Sequence, residues 1–135
     1  MNAATKLFVR ERARDRCEYC RLPQSAQPYV TFHVEHILSR KHRGTDDPSN
    51  LALACERCNA FKGADLTGVD PDTNQVERLF NPRAQDWHVH FEFRAALILG
   101  RTPTGRTTVA VLGMNEEVRA RLRTELLELG LFEVE

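Results

Sequence analysis

The pattern of apolar and polar positions in the first half of the chain predicts a mixture of helix and strand. Residues 5–16 place apolar side chains at helical spacing among Arg and Glu. Residues 29–37 are rich in aromatic and β-branched residues, which favours a strand. A short apolar stretch, residues 51–54, leads into residues 56–63, which have the pattern of a short helix that Gly63 ends.

The second half begins with a connector, residues 65–74, that is rich in Gly, Pro and Asp. From residue 87 to residue 94 apolar and polar side chains alternate, which is the period of a half-buried strand, and a second strand is expected directly after it. Residues 102–105 are expected to form a turn before a further strand at residues 107–112. Asn115 is expected to cap a final helix. The apolar face expected of that helix comprises Val118, Leu122, Leu126 and Leu129.

The chain of 135 residues, 41% hydrophobic and 28% charged, is typical of one globular domain with an extension. We place the boundary at the connector, with a module at residues 1–64 and an extension at residues 65–135 packed on it. A module of about 60 residues is only marginally stable unless a metal site or another cross-link stabilises it. No apolar run approaches the roughly 20 residues of a membrane helix. The N-terminal residues lack a secretory signal, so we expect a cytoplasmic protein without a membrane partner.

The charges of the chain sum to zero but are unevenly distributed. Residues 1–63 contain 11 Lys and Arg against 7 Asp and Glu, whereas residues 64–135 contain 8 against 12. The positive half is also the half that contains the cysteines. This asymmetry is consistent with phosphate binding by the first half. A chance distribution of solvated charges explains it equally well.

The four cysteines occur as two Cys-x-x-Cys pairs, Cys17 with Cys20 and Cys55 with Cys58. Disulfides are rare in the cytoplasm. Each pair can present two thiolates to one ion, so two pairs complete the tetrahedral shell of structural zinc. A redox role is the alternative, but no βαβ pattern surrounds either pair. The sequence therefore predicts a structural Zn²⁺ site, and metal binding would supply folding free energy to this half.

Polar residues follow one another in a fixed order between and beside the cysteine pairs. The segment His33-Val34-Glu35-His36-Ile37 precedes Asn50, and Cys58 is followed directly by Asn59 and then by Lys62-Gly63. Asn50 lies 14 residues after His36, and Asn59 lies 23 residues after it. In this order and spacing, interleaved with the cysteine pairs, the segment resembles the HNH endonuclease family.

The resemblance implies an α+β fold, in which a ββα-metal, treble-clef-like module is braced by the four-cysteine zinc site and extended by a C-terminal β-hairpin and helix. Residues 79–83 and 102–106 are similar to a bacterial HNH subfamily. The implied function is metal-dependent hydrolysis of phosphodiester bonds in DNA. The implied cofactors are a structural Zn²⁺ and a catalytic Mg²⁺ or another divalent ion such as Mn²⁺.

The family pattern implies a role in the site for four residues. His36 is the implied general base, since a neutral imidazole, with an ordinary pKa of about 6.5, can accept a proton from water. Glu35 and Asn59 are the implied ligands of the catalytic ion, because carboxylate and amide oxygens suit a hard cation. Asn50 is implied to tie its loop to the strand that carries His36. Many family members have Asp or His in place of Glu35, which is longer than Asp but can still ligate.

The spacing of the residues on the first strand adds two expectations. Adjacent residues of a regular strand point to opposite faces, so Glu35 and His36 can both face the ion only if the strand end twists or bulges. His33 precedes Glu35 by two residues and shares its face. We expect it to be a polar strand residue, with a contact to phosphate or to an extra metal ion as the alternative.

Basic residues around this segment are candidates for contact with nucleic acid, with a solvated loop as the alternative for the first three. They are Arg40, Lys41, Arg43, Arg57 and Lys62. A non-catalytic zinc module that binds nucleic acid or protein is the alternative function. Such a module would need the cysteines and the basic residues, but it would not need Glu35, His36 and Asn59 together.

Overall fold

A computed structural model describes residues 1–134 of the chain. These residues form helices and three two-stranded antiparallel sheets, which confirms the predicted α+β class. The chain separates into two compact units. The first unit contains residues 1–64 and 81–84, and the second contains residues 65–80 and the chain from residue 85 onward. Within residues 1–134 no helix combines the length and the apolar character that a membrane crossing requires.

The first unit is a β-hairpin with one helix before it and one after it. Its elements are α1 (Ala3–Arg12), β1 (His33–His36), β2 (Leu51–Ala54) and α2 (Glu56–Lys62). The hairpin pairs His33 with Ala54 and continues without a break to His36 with Leu51. The predicted strand at residues 29–37 is therefore shorter than expected, and it contains no bulge in the paired residues.

Hydrogen bonds to β2 fix the segments that precede the hairpin. All four residues of β2 are buried, so their backbone groups need partners inside the protein. The amide of Glu18 donates to the Leu53 carbonyl at 2.9 Å, and the Glu18 carboxylate accepts from the Leu53 amide at 2.8 Å. Arg12 of α1 donates to the carbonyl of Leu51 at 2.7 Å. The first helix is capped by Asn2, and among its residues only Val9 is buried.

The second unit contains two hairpins and three helices. Its elements are β3 (Thr67–Val69), β4 (Val76–Arg78), α3 (Trp87–His90), β5 (Phe91–Arg94), β6 (Leu97–Gly100), α4 (Pro103–Val111) and α5 (Glu117–Glu128). Aromatic rings form the core. Trp87 lies 5.1 Å from Phe91 and 5.0 Å from Phe93 between ring centroids, and Phe80 meets Phe91 edge to face at 5.1 Å.

Two strand predictions in the second unit are wrong. The alternating segment at residues 87–94 begins with the helical turn α3, which Asp86 caps, and only its second half is the strand β5. The predicted strand at residues 107–112 belongs to the helix α4. Thr102 accepts from the amide of Gly105 as its N-cap and Pro103 occupies the first turn, so the expected turn is a helix start.

The final helix also differs from its prediction. Its N-cap is Glu116, and the side chain of Asn115 instead exchanges two hydrogen bonds with the backbone of Ile98. Of the four predicted apolar contacts only Leu126 is buried in full. Arg119 and Arg123 are buried in their place because their guanidinium groups donate to backbone carbonyls. A helical period read from apolar residues could not identify this face, since the buried residues are charged.

Candidate active site

The four cysteines of the first unit come together in a buried cluster. Their Sγ atoms all lie within 4.8 Å of one another, and none is in a disulfide. The Sγ atoms of Cys20 and Cys55 are 3.7 Å apart. A tetrahedral zinc ion with Zn–S bonds of about 2.3 Å requires sulfur atoms about 3.8 Å apart. The cluster is therefore positioned as a metal-binding site, and its donor set and spacing suit zinc.

The surroundings of the cluster supply the second part of the fit. Each Cys-x-x-Cys pair contains the same local hydrogen bond, in which the amide of Cys20 donates to the Sγ of Cys17 at 3.5 Å and that of Cys58 donates to the Sγ of Cys55 at 3.5 Å. Burial raises the pKa of the Cys17 and Cys58 thiols well above the usual range. Thiolates at these positions need a cation, because an uncompensated buried charge is costly.

The knuckle formed by Cys17 and Cys20 contacts the first strand through the tyrosine inside it. The hydroxyl of Tyr19, a fully buried residue, donates to Oε1 of Glu35 at 2.5 Å. From α2, the Nζ of Lys62 donates to Oε2 of Glu35 at 3.2 Å. Glu35 is only 7% exposed, so both of its oxygens are held inside the first unit between the knuckle and α2.

Burial and hydrogen bonding act in opposite directions on Glu35. Burial raises the pKa of its carboxyl above the ordinary value, and the charge of Lys62 together with the hydrogen bonds from Tyr19 and Lys62 lowers it in part. Glu35 also raises the pKa of Tyr19, although burial is the larger cause of that shift. The ammonium group of Lys62 and the hydroxyl of Tyr19 therefore stabilise the carboxylate form of Glu35 and offset part of the cost of its desolvation.

The imidazole of His36 is held by a different residue. Its Nε2 lies 2.7 Å from Oδ1 of Asp46, and Nη2 of Arg40 donates to both Asp46 oxygens at 2.8 and 2.9 Å. The amino group of Met1 lies 2.8 Å from Oδ2 of Asp46. Hydrogen bonds from Met1 and His36, followed by the charge of Arg40, hold the pKa of Asp46 well below its usual range. His36 and Glu35 thus turn to different partners, as expected for neighbours in a regular strand.

Asn50 joins the loop of residues 37–50 to itself at three points. Its Oδ1 accepts from the amide of Leu38 at 2.9 Å, and its Nδ2 donates to the carbonyls of Leu38 and Thr45 at 3.0 and 2.9 Å. The amide of Ile37 donates to the Asn50 carbonyl at 2.8 Å. Both ends of the loop are thereby fixed where it leaves β1 and where it enters β2.

An open pocket of about 260 Å³ lies along β1, the middle of α2 and the C-cap of α2. Its lining residues are His33, Val34, Glu35, His36, Ser39, Asn59 and Gly63. Asn59 is on α2 directly after Cys58, so its backbone position is tied to that of the cysteine cluster. The residues that line the pocket include a glutamate, an asparagine and a histidine, which are residue types that can supply oxygen ligands for a hard cation and a base for proton transfer.

The candidate nucleic-acid contacts are placed differently from one another. Lys41, Arg43 and Arg57 are exposed, and Arg40 is exposed while paired with Asp46. Lys62 is only 3% exposed, and its Nζ donates to Glu35 and to the carbonyls of His36 and Ile37. The prediction that Lys62 contacts nucleic acid is therefore corrected, because its ammonium group has three acceptors inside the protein.

The cluster of four cysteines, together with the β-hairpin and the helix α2, is consistent with a zinc-braced α+β module. Residues 17–65 match the family model described as HNH endonuclease. The match confirms the resemblance for residues 17–65 and suggests a function of the nuclease type. No curated protein and no solved structure matches the chain.

Two residues of this site were missed in the sequence. Tyr19 lies inside a cysteine pair, where the motif gives it no role, and Asp46 lies in a polar loop where a charged residue is common. Their contacts with Glu35 and His36 span 16 and 10 residues along the chain. The sequence signal for Asp46 is its position between Gly44 and Pro48 and close before Asn50. This places it in the loop that leads from the first strand back to its partner strand.

Proposed function

We propose that the first unit is a metal-dependent endonuclease that hydrolyses phosphodiester bonds of DNA. The observation that carries the proposal is that His36, Glu35 and Asn59 line one pocket beside the cysteine cluster. A module that only binds nucleic acid or protein has no need for a base, a carboxylate and an amide in the same pocket. The match to the HNH endonuclease family supports the same class of reaction.

His36 is the proposed general base. Its Nε2 is engaged by Asp46, so its Nδ1 is the nitrogen left to accept a proton from water. The oxygen of that water forms a bond to phosphorus, and the bond from phosphorus to the 3′ oxygen breaks. The proton passes to Nδ1 of His36, and the 3′ oxygen leaves as a hydroxyl after protonation from solvent. The products are 5′-phosphate and 3′-hydroxyl ends.

Glu35 and Asn59 are the proposed ligands of a catalytic Mg²⁺ or another divalent ion such as Mn²⁺. Both residues line the pocket, and their side chains carry the carboxylate and amide oxygens that suit a hard cation. Each oxygen of Glu35 already accepts one hydrogen bond, but a carboxylate oxygen has two lone pairs. Such an ion supplies charge neutralisation at the phosphate and at the leaving oxygen.

Exposed basic residues are proposed to bind the DNA backbone. Arg40, Lys41 and Arg43 lie in the loop that follows β1, and Arg57 lies on α2 two residues before Asn59. Cations near a scissile phosphate position the strand without reading its sequence. Their contribution to binding falls as salt concentration rises, because phosphate contacts release counterions.

The test is cleavage of supercoiled plasmid, single-stranded DNA and RNA by the whole protein in a titration of Mg²⁺ and of Mn²⁺. We expect His36→Ala to lower the cleavage rate by about 10²- to 10⁴-fold, the range of a general base. Glu35→Gln and Asn59→Ala should raise the metal concentration needed for half-maximal rate. His88→Ala, an exposed histidine of the second unit, is the matched control and should leave the rate unchanged.

Three results would contradict the proposal. Equal cleavage by wild type and His36→Ala would show that His36 is not the general base. Full activity in excess chelator would show that no catalytic metal ion is needed. Binding of DNA without cleavage, at every metal concentration, would favour the non-catalytic module. Zinc content measured on the same samples separates loss of the site from loss of the structural metal.

A further inference from the structure

One of the two ring nitrogens of His36, the proposed base, is hydrogen-bonded to the carboxylate of Asp46. Oδ1 of Asp46 lies 2.7 Å from Nε2 of His36, and the His36 side chain is 18% exposed. An ionised carboxylate can only accept hydrogen bonds, so Nε2 must be the donor. The pairing therefore selects the tautomer with a proton on Nε2 and leaves the lone pair on Nδ1.

Asp46 is itself held in place by two cations, the amino group of Met1 at 2.8 Å from Oδ2 and the guanidinium group of Arg40. Nη2 of Arg40 donates to both of its oxygens, at 2.8 and 2.9 Å, from a position six residues earlier in the chain. Charge-assisted pairs of this kind are shorter and stronger than neutral ones. Arg40 thus restrains the carboxylate while leaving one oxygen directed to the imidazole.

The loop that carries Asp46 is constrained on both sides. A Cβ atom added to Gly44 would lie 1.6 Å from the carbonyl oxygen of Leu38, so only glycine permits the loop to approach the end of β1 this closely. On the other side, Nδ2 of Asn50 donates to the carbonyl of Thr45. Asp46 follows Thr45 directly, so the loop presents its carboxylate at a fixed place.

We propose that Asp46 is a positioning residue for the reaction, which fixes the tautomer and the orientation of His36 and stabilises the imidazolium that forms when His36 accepts a proton. The proposal rests on the nuclease function proposed above. The logic is that of a carboxylate behind a catalytic histidine, which orients the ring and balances its transient charge without taking the proton. Arg40 then acts on the site through Asp46.

The experiment compares Asp46→Ala, Asp46→Glu and Asp47→Asn in the zinc-loaded protein. Asp47 is the matched control, because its carboxylate accepts from the amide and the hydroxyl of Ser49 and caps the next turn without touching His36. We expect Asp46→Ala to lower kcat by about 10- to 100-fold with little change in KM for DNA, the usual cost of losing such a partner. Asp46→Glu should recover part of the loss, and Asp47→Asn should match wild type.

A second readout is the tautomer of His36, measured by long-range ¹H–¹⁵N correlation NMR at alkaline pH, where imidazole is neutral. Wild type and Asp47→Asn should show the proton on Nε2, and Asp46→Ala should show a mixture of the two forms. An unchanged tautomer in Asp46→Ala, or an unchanged kcat in an active enzyme, would overturn the proposal. If the wild type cleaves nothing, the nuclease function fails, while the NMR comparison still decides whether Asp46 orients His36.

Discussion

A buried carboxylate in the first unit and two buried guanidinium groups in the second unit have different kinds of hydrogen-bond partner. In the first unit the buried carboxylate of Glu35 lines an open pocket and is held by side chains, those of Tyr19 and Lys62. In the second unit the buried guanidinium groups of Arg119 and Arg123 donate to main-chain carbonyls at the ends of nearby elements. The first arrangement keeps reactive groups beside solvent, whereas the second completes backbone hydrogen bonding inside a core.

The two units also differ in what holds them together. The second unit has an aromatic core around Trp87 and Phe91, and burial of such side chains is the main favourable contribution in small domains. The first unit has a hairpin of two four-residue strands between two α-helices, and it contains the buried cysteine cluster. We infer that metal binding supplies a large part of its folding free energy. The difference can be tested by perturbing the metal site of the first unit or the aromatic core of the second.

Loss of the metal should produce the largest effect. Cys58→Ser removes one of four thiolates, and structural zinc sites of this type contribute about 10–16 kcal/mol of apparent binding free energy. We expect the variant to lose bound zinc and the amides of β2 to lose protection from hydrogen exchange. Trp87, the single tryptophan, lies in the second unit, so its fluorescence should change little.

Ala60→Ser is the matched control for this variant, since it introduces the same hydroxyl at an exposed position of α2. It should retain zinc and β2 protection. The comparison would be broken if Cys58→Ser kept its hydrogen-exchange protection, because the hairpin would then be stable without the metal. A red shift of Trp87 emission in parallel with zinc loss would show instead that the two units unfold together.

The second unit should respond most to a cavity in its aromatic core. Phe91 is fully buried and contacts both Trp87 and Phe80. We expect Phe91→Ala to lower the free energy of unfolding by about 3–5 kcal/mol, as large-to-small core changes do. Denaturant titration followed by Trp87 fluorescence measures the loss. Val89→Ala, at a position 55% exposed, should cost far less. Zinc content should stay unchanged in both variants, and zinc loss in Phe91→Ala would contradict separate stabilisation.

The fold could be predicted from the sequence where a constraint is local and was missed where tertiary contacts decide. The Cys-x-x-Cys spacing predicts the metal cluster because two knuckles around one ion leave few alternatives. The segment 107–111, in which every residue except Ala110 is β-branched, favours a strand, but the burial of Thr107 and Thr108 and the cap at Thr102 accompany a helix there. Propensity is a weak guide at such buried positions.

The candidate site shows the same limit. The motif names His36 and Asn59, because the family pattern fixes their order in the chain. It cannot name Tyr19 or Asp46, because their roles depend on which side chains the folded loop and knuckle bring within hydrogen-bond distance. The sequence also predicted that Lys62 contacts nucleic acid, because a basic residue in the chain gives no indication that its ammonium group is buried in the fold.

The contact between the knuckle and the first strand should give a smaller effect than either core change. Tyr19→Phe removes one hydroxyl from the buried carboxylate of Glu35 and keeps the ring. Leaving a buried acceptor without one donor costs about 1–3 kcal/mol. We expect a stability loss in this range, retained zinc and reduced cleavage. The chain has one other tyrosine, Tyr29, which is 99% exposed. Tyr29→Phe should be silent, and an equally silent Tyr19→Phe would show that the network does not support Glu35.

The smallest effect is confined to acid and concerns the ion pair of the second unit. Nε and Nη2 of Arg106 donate to the buried carboxylate of Asp70 at 3.1 and 2.8 Å, and this lowers the pKa of Asp70 to about 2 from an ordinary 3.8. A folded-state pKa below the unfolded value gives stability that is complete above the unfolded pKa and is lost as pH falls toward the folded one.

Acidification should therefore weaken the second unit through Asp70 only between about pH 4 and pH 2 and should have no effect through this group near neutrality. Trp87 fluorescence in denaturant at several pH values measures the slope. Asp70→Asn cannot titrate and should lose this part of the acid slope, whereas Asp65→Asn, at an exposed position, should keep it. Equal acid slopes in wild type and Asp70→Asn would mean that the pair is already present in the unfolded chain or is not formed in the folded one. Either result would remove Asp70 from the set of groups that stabilise the second unit without a metal.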